Sequence, residues 1–213
     1  MPFVPETTIL LAYSLACLVL FITPGPDMSL FLAKTLSGGR RAGIAAMTGA
    51  MLGCVVHSLL AAFGISALIV ASPTGFLALK IVGALYLFWL AIDAIRNGSA
   101  VNISAAEAGD VSFWRTFALG VSINLTNPKV ILFFVTFLPQ FVDAHDPHAS
   151  GKLLFLGIYF VVLTSPLAVL MILGAERLLR SLQRNPRVLR FIDWIFAGVF
   201  GAFAARILTT QGR

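Results

Sequence analysis

The chain has 213 residues, of which 59% are hydrophobic and only 11% charged, with a formal net charge of +6. Soluble domains carry about 25% charged residues, so this balance excludes an ordinary water-soluble domain, a disordered tail and a nucleic-acid-binding module. Six membrane spans of about 20 residues each would leave no room for a sizeable soluble domain.

The first apolar segment covers residues 8–34 and is interrupted at Thr23-Pro24-Gly25-Pro26-Asp27. No Lys or Arg precedes Lys34, and Glu6 stands where a signal peptide would be positive. The run 9–22 therefore reads as a retained first span rather than a cleaved leader. The second segment covers 42–71 and the third 76–95. No charged residue lies between Arg41 and Lys80. One helix over that stretch would reach about 57 Å, nearly twice the hydrocarbon core, and Ser72-Pro73-Thr74-Gly75 supplies a turn. The fourth segment, 117–141, is interrupted at Asn127-Pro128-Lys129. The fifth covers 153–175. The sixth, 191–208, carries Asp193 and Arg206 near its ends, within snorkelling reach of the interface. Cys17 and Cys54 sit in apolar runs, as small core residues do.

Backbone groups must be paired in lipid, and alternating ten-residue strands are absent, so the segments are helices. The expected fold is an all-α membrane protein of six transmembrane helices in one domain, 1–213. Repeat one covers about 1–98 and repeat two about 112–213, with a cytoplasmic linker at about 97–113.

Loop cations set the orientation. Ten lie on one side: Lys34, Arg40, Arg41, Arg96, Arg115, Arg177, Arg180, Arg184, Arg187 and Arg190. Four lie on the other: Lys80, Lys152, Arg206 and Arg213. The positive-inside rule places the ten in the cytoplasm and both termini outside. Anionic lipid headgroups account for the basic loop between segments five and six without nucleic acid.

The two interrupted segments align. Residues 21–31, with Pro26, Asp27 and Phe31, fall on residues 123–133, with Pro128, Lys129 and Phe133, at an offset of 102 residues. Each half has three spans, so the halves run through the bilayer in opposite senses. Such inverted repeats are typical of secondary transporters, whose sites lie near the midplane on broken helices.

Each proline removes an N–H and frees the carbonyl four residues earlier. Pro24 frees Leu20, Pro26 frees Ile22 and Pro128 frees Asn124. Freed carbonyls suit an ammonium group, and the N–H groups opening the next half-helix suit a carboxylate. Asp27 and Lys129 add full charges at the same places, each costing about 2.5–3.5 kcal/mol at a helix centre. The pseudo-symmetry puts them close enough to neutralise each other in part. The expected ligand is a zwitterionic amino acid, its carboxylate at Lys129 and its ammonium at Asp27 and the freed carbonyls. Asn124 and Asn127 either hold the ligand or satisfy the broken backbone. The bland alternative is a static Asp27–Lys129 salt bridge between simple kinks.

Other residues say less. His57 lies midway along span two, as a proton relay or a satisfied interior histidine. Gly49-x-x-x-Gly53 permits close helix contact, within the bundle or at a dimer seam. Trp89, Tyr86, Trp114 and Trp194 lie mostly near span ends. Asp93 has Arg96 as a local partner. Asp143, His145, Asp146 and His148 form a polar cluster in the outer loop, read as solvated rather than metal-binding. No metallohydrolase, serine-hydrolase or nucleotide-binding pattern occurs, so the chain reads as a non-enzyme without cofactor or metal, driven by an ion gradient.

Several motifs together resemble the LysE/RhtB amino-acid exporters. They are the Thr23–Asp27 break, Gly38-Gly39-Arg40-Arg41-Ala42-Gly43, Gly49-x-x-x-Gly53 and Gly83-Ala84-Leu85-Tyr86-Leu87. Asn127-Pro128-Lys129 followed by Phe133-Phe134, and Leu138-Pro139-Gln140-Phe141, complete the set. Thr126 stands where that family's pattern carries an apolar residue. The resemblance implies a six-span bacterial inner-membrane protein that exports amino acids or close derivatives by proton antiport. By the match to the two proline motifs, Pro24, Gly25, Pro26, Asp27, Asn127, Pro128 and Lys129 are the implied site residues. A single Asp and a single Lys favour neutral substrates such as homoserine and threonine. A channel-like passive pore for small zwitterions is the alternative. Expected partners are the amino acid, protons, membrane lipid and a possible second copy in a homodimer.

Overall fold

A computed structural model describes residues 3–97, 112–143 and 146–210. Most of the linker expected at 97–113, and His145 of the outer loop, lie outside them.

The described residues form helices and connecting turns, without strands. Helix α1 (Thr7–Ile22) ends two residues before Pro24, and α2 (Pro26–Leu60) opens with Pro26 in its first turn. Proline lacks the N–H that a first-turn residue would leave unpaired anyway, so both prolines fix where the chain stops and restarts. Within α2 the chain leaves helical geometry at Gly39, with φ 72° and ψ 179°. That left-handed backbone suits glycine, and it divides α2 into a short first limb and a longer second limb. A π-helical turn (Ala61–Ile65) and α3 (Ser66–Ala71) prolong the second limb.

Ser72 alone separates α3 from α4 (Pro73–Asn97). Its hydroxyl accepts the Gly75 N–H at 3.0 Å, as an N-cap serine does. Helix α5 (Phe113–Thr126) and α6 (Pro128–Leu132) flank Asn127, and the chain bends by 54° between Phe113–Thr126 and Pro128–Phe141. A π-helical turn (Phe133–Phe137) and a 3₁₀ turn (Leu138–Phe141) finish that limb. Helix α7 (Ala149–Leu173), α8 (Ala175–Arg184) and α9 (Pro186–Thr210) follow.

By length and composition, four helical stretches among the described residues are long and apolar enough to cross a membrane, or five counting the bent pair as one. Large apolar side chains such as Leu11, Phe63, Val82, Trp114 and Phe191 remain exposed on the bundle's exterior, as in a protein whose solvent is lipid.

Inside, α2 packs on α5 and α7, while α4 packs on α9. The α2–α5 crossing is close because glycines face backbone across it. A Cβ at Gly49 would stand 2.1 Å from the Phe117 carbonyl oxygen, and one at Gly120 would stand 2.2 Å from that of Ala46. Gly49-x-x-x-Gly53 thus faces α5 of the same chain. Arg190 in α9 donates to the Ile95 carbonyl near the end of α4 at 2.7 Å. An aromatic core centred on Phe133, Phe134, Phe137, Phe160 and Phe200 fills the space beyond the two breaks.

Candidate functional site

The two proline breaks meet. Lys129, the second residue of α6, reaches back to the end of α1. Its Nζ donates to the Leu20 carbonyl at 3.0 Å and to the Thr23 carbonyl at 2.7 Å. Leu20 is the carbonyl that Pro24 leaves without its helical donor. Gly25 makes the approach possible: a Cβ there would lie 3.1 Å from Lys129 Nζ.

The opposite reach is made around Asp27, the second residue of α2. Its Oδ2 accepts the Asn124 side-chain amide at 2.9 Å, and Asn124 lies in the last turn of α5. The Asn124 carbonyl, which Pro128 deprives of its helical donor, instead accepts the Asn127 N–H at 3.1 Å, with His57 Nε2 at 3.4 Å. Asn127 caps α6, its Oδ1 accepting the Lys129 N–H at 3.1 Å. Each post-proline residue therefore engages the break of the other half.

These groups surround a cavity of about 40 Å³. Asp27, Asn124 and Lys129 supply its charged and amide groups, and Thr23, Cys54, Thr164 and Phe160 are among its walls. That volume holds about three waters, since each needs roughly 10–15 Å³. Among the described residues, two buried polar atoms at the breaks lack a hydrogen-bond partner: Asp27 Oδ1 and Asn127 Nδ2. Buried orphans are costly, about 1–3 kcal/mol each for neutral groups and more for charged ones.

The residues singled out in the sequence take different places here. Asp27, Asn124 and Lys129 line the cavity, with Gly25 behind Lys129. Neither Asp27 nor Lys129 uses the other as its hydrogen-bond partner. Pro24, Pro26 and Pro128 shape the breaks without lining the cavity. His57 sits behind Asn124, stacked on Phe134 with ring centroids 5.6 Å apart, and does not line the cavity. Sequence reasoning missed the Thr23 carbonyl, Cys54, Phe160 and Thr164. A readable signal existed for α7: Thr164-Ser165-Pro166 breaks an otherwise apolar run, and both hydroxyls bond carbonyls one turn back.

A family model for LysE type translocators matches residues 18–211, both breaks included. The chain belongs to the LysE type translocator family. Relatives of this LysE-type chain include an uncharacterized membrane protein of Pseudomonas aeruginosa, 29% identical over 92% of this chain and 93% of its own. Another, from Vibrio cholerae and also described as an uncharacterized membrane protein, is 31% identical over 89% of this chain and 91% of its own. No solved structure matches the chain. Family membership and the apolar helices together make this LysE-type protein a multi-pass membrane translocator.

Proposed function

We propose that the protein exports amino acids or close derivatives across the inner membrane as a proton-coupled antiporter, with neutral substrates such as homoserine or threonine favoured. One observation carries the reading: a cation and an acid, each held on the opposite half's break, line one cavity. A zwitterion carries the complementary pair. Its carboxylate replaces part of the carbonyl cage around Lys129, and its ammonium takes Asp27 Oδ1. Asp27 already holds Asn124, so one unpartnered oxygen remains for one ammonium and none for a second cationic group. That favours neutral cargo.

The reading includes six spans in two inverted repeats. Span one is α1 with the first limb of α2, and span two is the second limb through α3. Span three is α4, and span four is α5 with residues 128–141. Spans five and six are α7 and α9. The α4–α9 pairing then joins equivalent third spans. A cavity of about 40 Å³ is smaller than an amino acid, so admission needs a change of conformation, as alternating access does. A passive pore would need a continuous path instead.

Efflux from cells loaded with dipeptides tests the reading, comparing wild type with Lys129→Ala at matched membrane abundance, with and without an uncoupler. Faster efflux of one amino-acid class in wild type, removed by both the substitution and the uncoupler, supports it. Normal efflux from Lys129→Ala overturns the site, and uncoupler-insensitive flux overturns proton antiport.

A further inference from the structure

A second, larger hollow of about 580 Å³ opens where the Gly39 break of α2 meets the corner between α7 and α8. Its walls carry Arg40 from just beyond the break and Arg177 and Arg180 from α8, against a single acid, Glu176. Glu176 engages Arg180 at 3.4 Å in an exposed pair. Three guanidinium groups against one carboxylate leave the hollow net positive. Both loops that build it belong to the cation-rich side.

This hollow lies directly beyond the buried site. Phe31 lines the site and Thr35, one turn on, lines the hollow; four residues of helix rise about 6 Å. Likewise Met171 lines the site and its neighbour Ile172 the hollow. The partition between them is thin and tightly packed: a Cβ on Gly43 would strike Thr35 Oγ1 and lie 3.2 Å from Ile172 Cγ2.

We infer that this hollow is the cytoplasmic vestibule of the translocator, in which Arg40, Arg177 and Arg180 capture the cargo's carboxylate before it passes the Phe31–Thr35 partition. The inference rests on the exporter reading and assigns that site its entrance. The guanidinium is the side chain best matched to a carboxylate, through two parallel N–H bonds. A concave positive surface with low-dielectric walls concentrates anions and raises their arrival rate. The volume accommodates a hydrated amino acid, which the inner cavity does not. A lipid phosphate shares the same oxyanion chemistry. Continuity with the inner site favours the soluble carboxylate.

The test places a reporter thiol at Leu36, an exposed position in the wall; the native Cys17 and Cys54 are buried. Leu36→Cys is modified in inverted vesicles with an anionic and a cationic methanethiosulfonate, each rate divided by that of a free thiol. The anionic reagent is expected to be favoured about tenfold, as steering in charged clefts allows. Arg40→Gln with Arg177→Gln abolishes the preference, and the exported amino acid slows modification in the parent. In efflux assays the paired substitution raises the half-saturating internal concentration and spares the maximal flux. An anionic preference that survives the arginine substitutions overturns the inference, as does an unchanged half-saturation. Preference seen in neutral-lipid vesicles, lost in anionic ones and indifferent to amino acids, assigns the hollow to a headgroup and overturns it too. Failure of the exporter reading shows separately, as absent wild-type efflux, because the thiol chemistry needs no transport.

Discussion

Lys129 Nζ lies 3.0 Å from the Leu20 carbonyl and 2.7 Å from that of Thr23, so the cation of the second proline break is the donor that completes the first. Removing it leaves two buried acceptors at the end of α1. Each orphaned acceptor costs about 1–3 kcal/mol. Lys129→Ala is expected to abolish amino-acid efflux and lower thermal stability in detergent, with membrane insertion retained. Lys129→Arg is expected to fail as well, because Nζ packs close on Gly25 and the planar guanidinium is the bulkier group. Gly25→Ala is the milder version: its Cβ would stand 3.1 Å from Nζ, so efflux falls while expression holds. Full efflux from Lys129→Arg at matched abundance would show that the carbonyl cage does not hold the cation in the way described.

Asp27 and Asn124 form the converse link at 2.9 Å. Hydrogen bonds to charged groups contribute about 1.5–3 kcal/mol, and a buried charge stripped of its partner costs more. Asn124→Ala should therefore destabilise the protein strongly in the Asp27 background. In the Asp27→Asn background the same change should cost much less. A double-mutant cycle on thermal unfolding measures the difference. Strict additivity would mean that the bond contributes nothing.

The breaks were legible in the sequence because proline acts locally: its ring and missing N–H fix where α1, α2, α5 and α6 stop and start, whatever surrounds them. Leu20 as a freed carbonyl followed from the same rule. The pairing across halves was not legible, because it depends on which helices cross and at what height. The sequence suggested Asp27 and Lys129 as neighbours, and both line one cavity; what it did not show is that each takes its hydrogen bonds from the opposite break. His57 shows the same limit. Its position in span two was plain, but its place behind Asn124 follows from the closeness of α2 and α5 at Gly53. The Gly38-Gly39 pair was part of a recognisable motif, yet nothing local announced that a single residue, rather than a loop, would separate the limbs of α2.

The α2–α5 crossing carries a second set of expectations. A Cβ at Gly49, Gly53 or Gly120 would lie 2.1–2.4 Å from a Phe117, Asn124 or Ala46 oxygen. The helices must separate to admit it, and overpacking of this kind costs about 1–3 kcal/mol. Gly198 and Gly201, on α9, have nothing within 4 Å of the same added atom. Alanine at Gly49 or Gly120 should lower the melting temperature and the folded yield. Alanine at Gly198 or Gly201 should leave both unchanged or slightly raised, since alanine is the better helix former. Equal effects at the four positions would contradict the packing.

In the turn before α7, Asp146 accepts Lys152 Nζ and the His148 N–H. The Lys152 hydrogen bond, with the His148 N–H behind it, holds the Asp146 carboxyl below the usual carboxylate range. A depressed carboxyl stabilises the fold above its unfolded-state value, and the contribution fades as pH falls through the folded one. Hydrogen exchange at residues 146–152 should therefore rise faster in wild type than in Asp146→Asn as pH drops below about 4. Parallel pH curves for the two proteins would show that the carboxylate does not tie this turn to α7.

Gly39 tests backbone strain without side-chain packing. Its φ is 72°, and an added Cβ would meet nothing within 4 Å. Any penalty for Gly39→Ala then comes from the backbone alone: φ 72° with ψ 179° is a region essentially confined to glycine, and holding another residue there costs about 1–3 kcal/mol. Asparagine's tolerance of positive φ belongs to ψ near +45° and does not extend to ψ 179°, so Gly39→Asn and Gly39→Ala should both be less stable than the parent, and by similar amounts. The same break sets the angle between the limb that carries Asp27 and the limb that carries Gly53 and His57. A substitution that straightens it draws Asp27 away from Asn124. Efflux should therefore fall in both variants, and fall further than folded abundance accounts for. Efflux per folded molecule that stays constant across the three proteins would separate the break from the site.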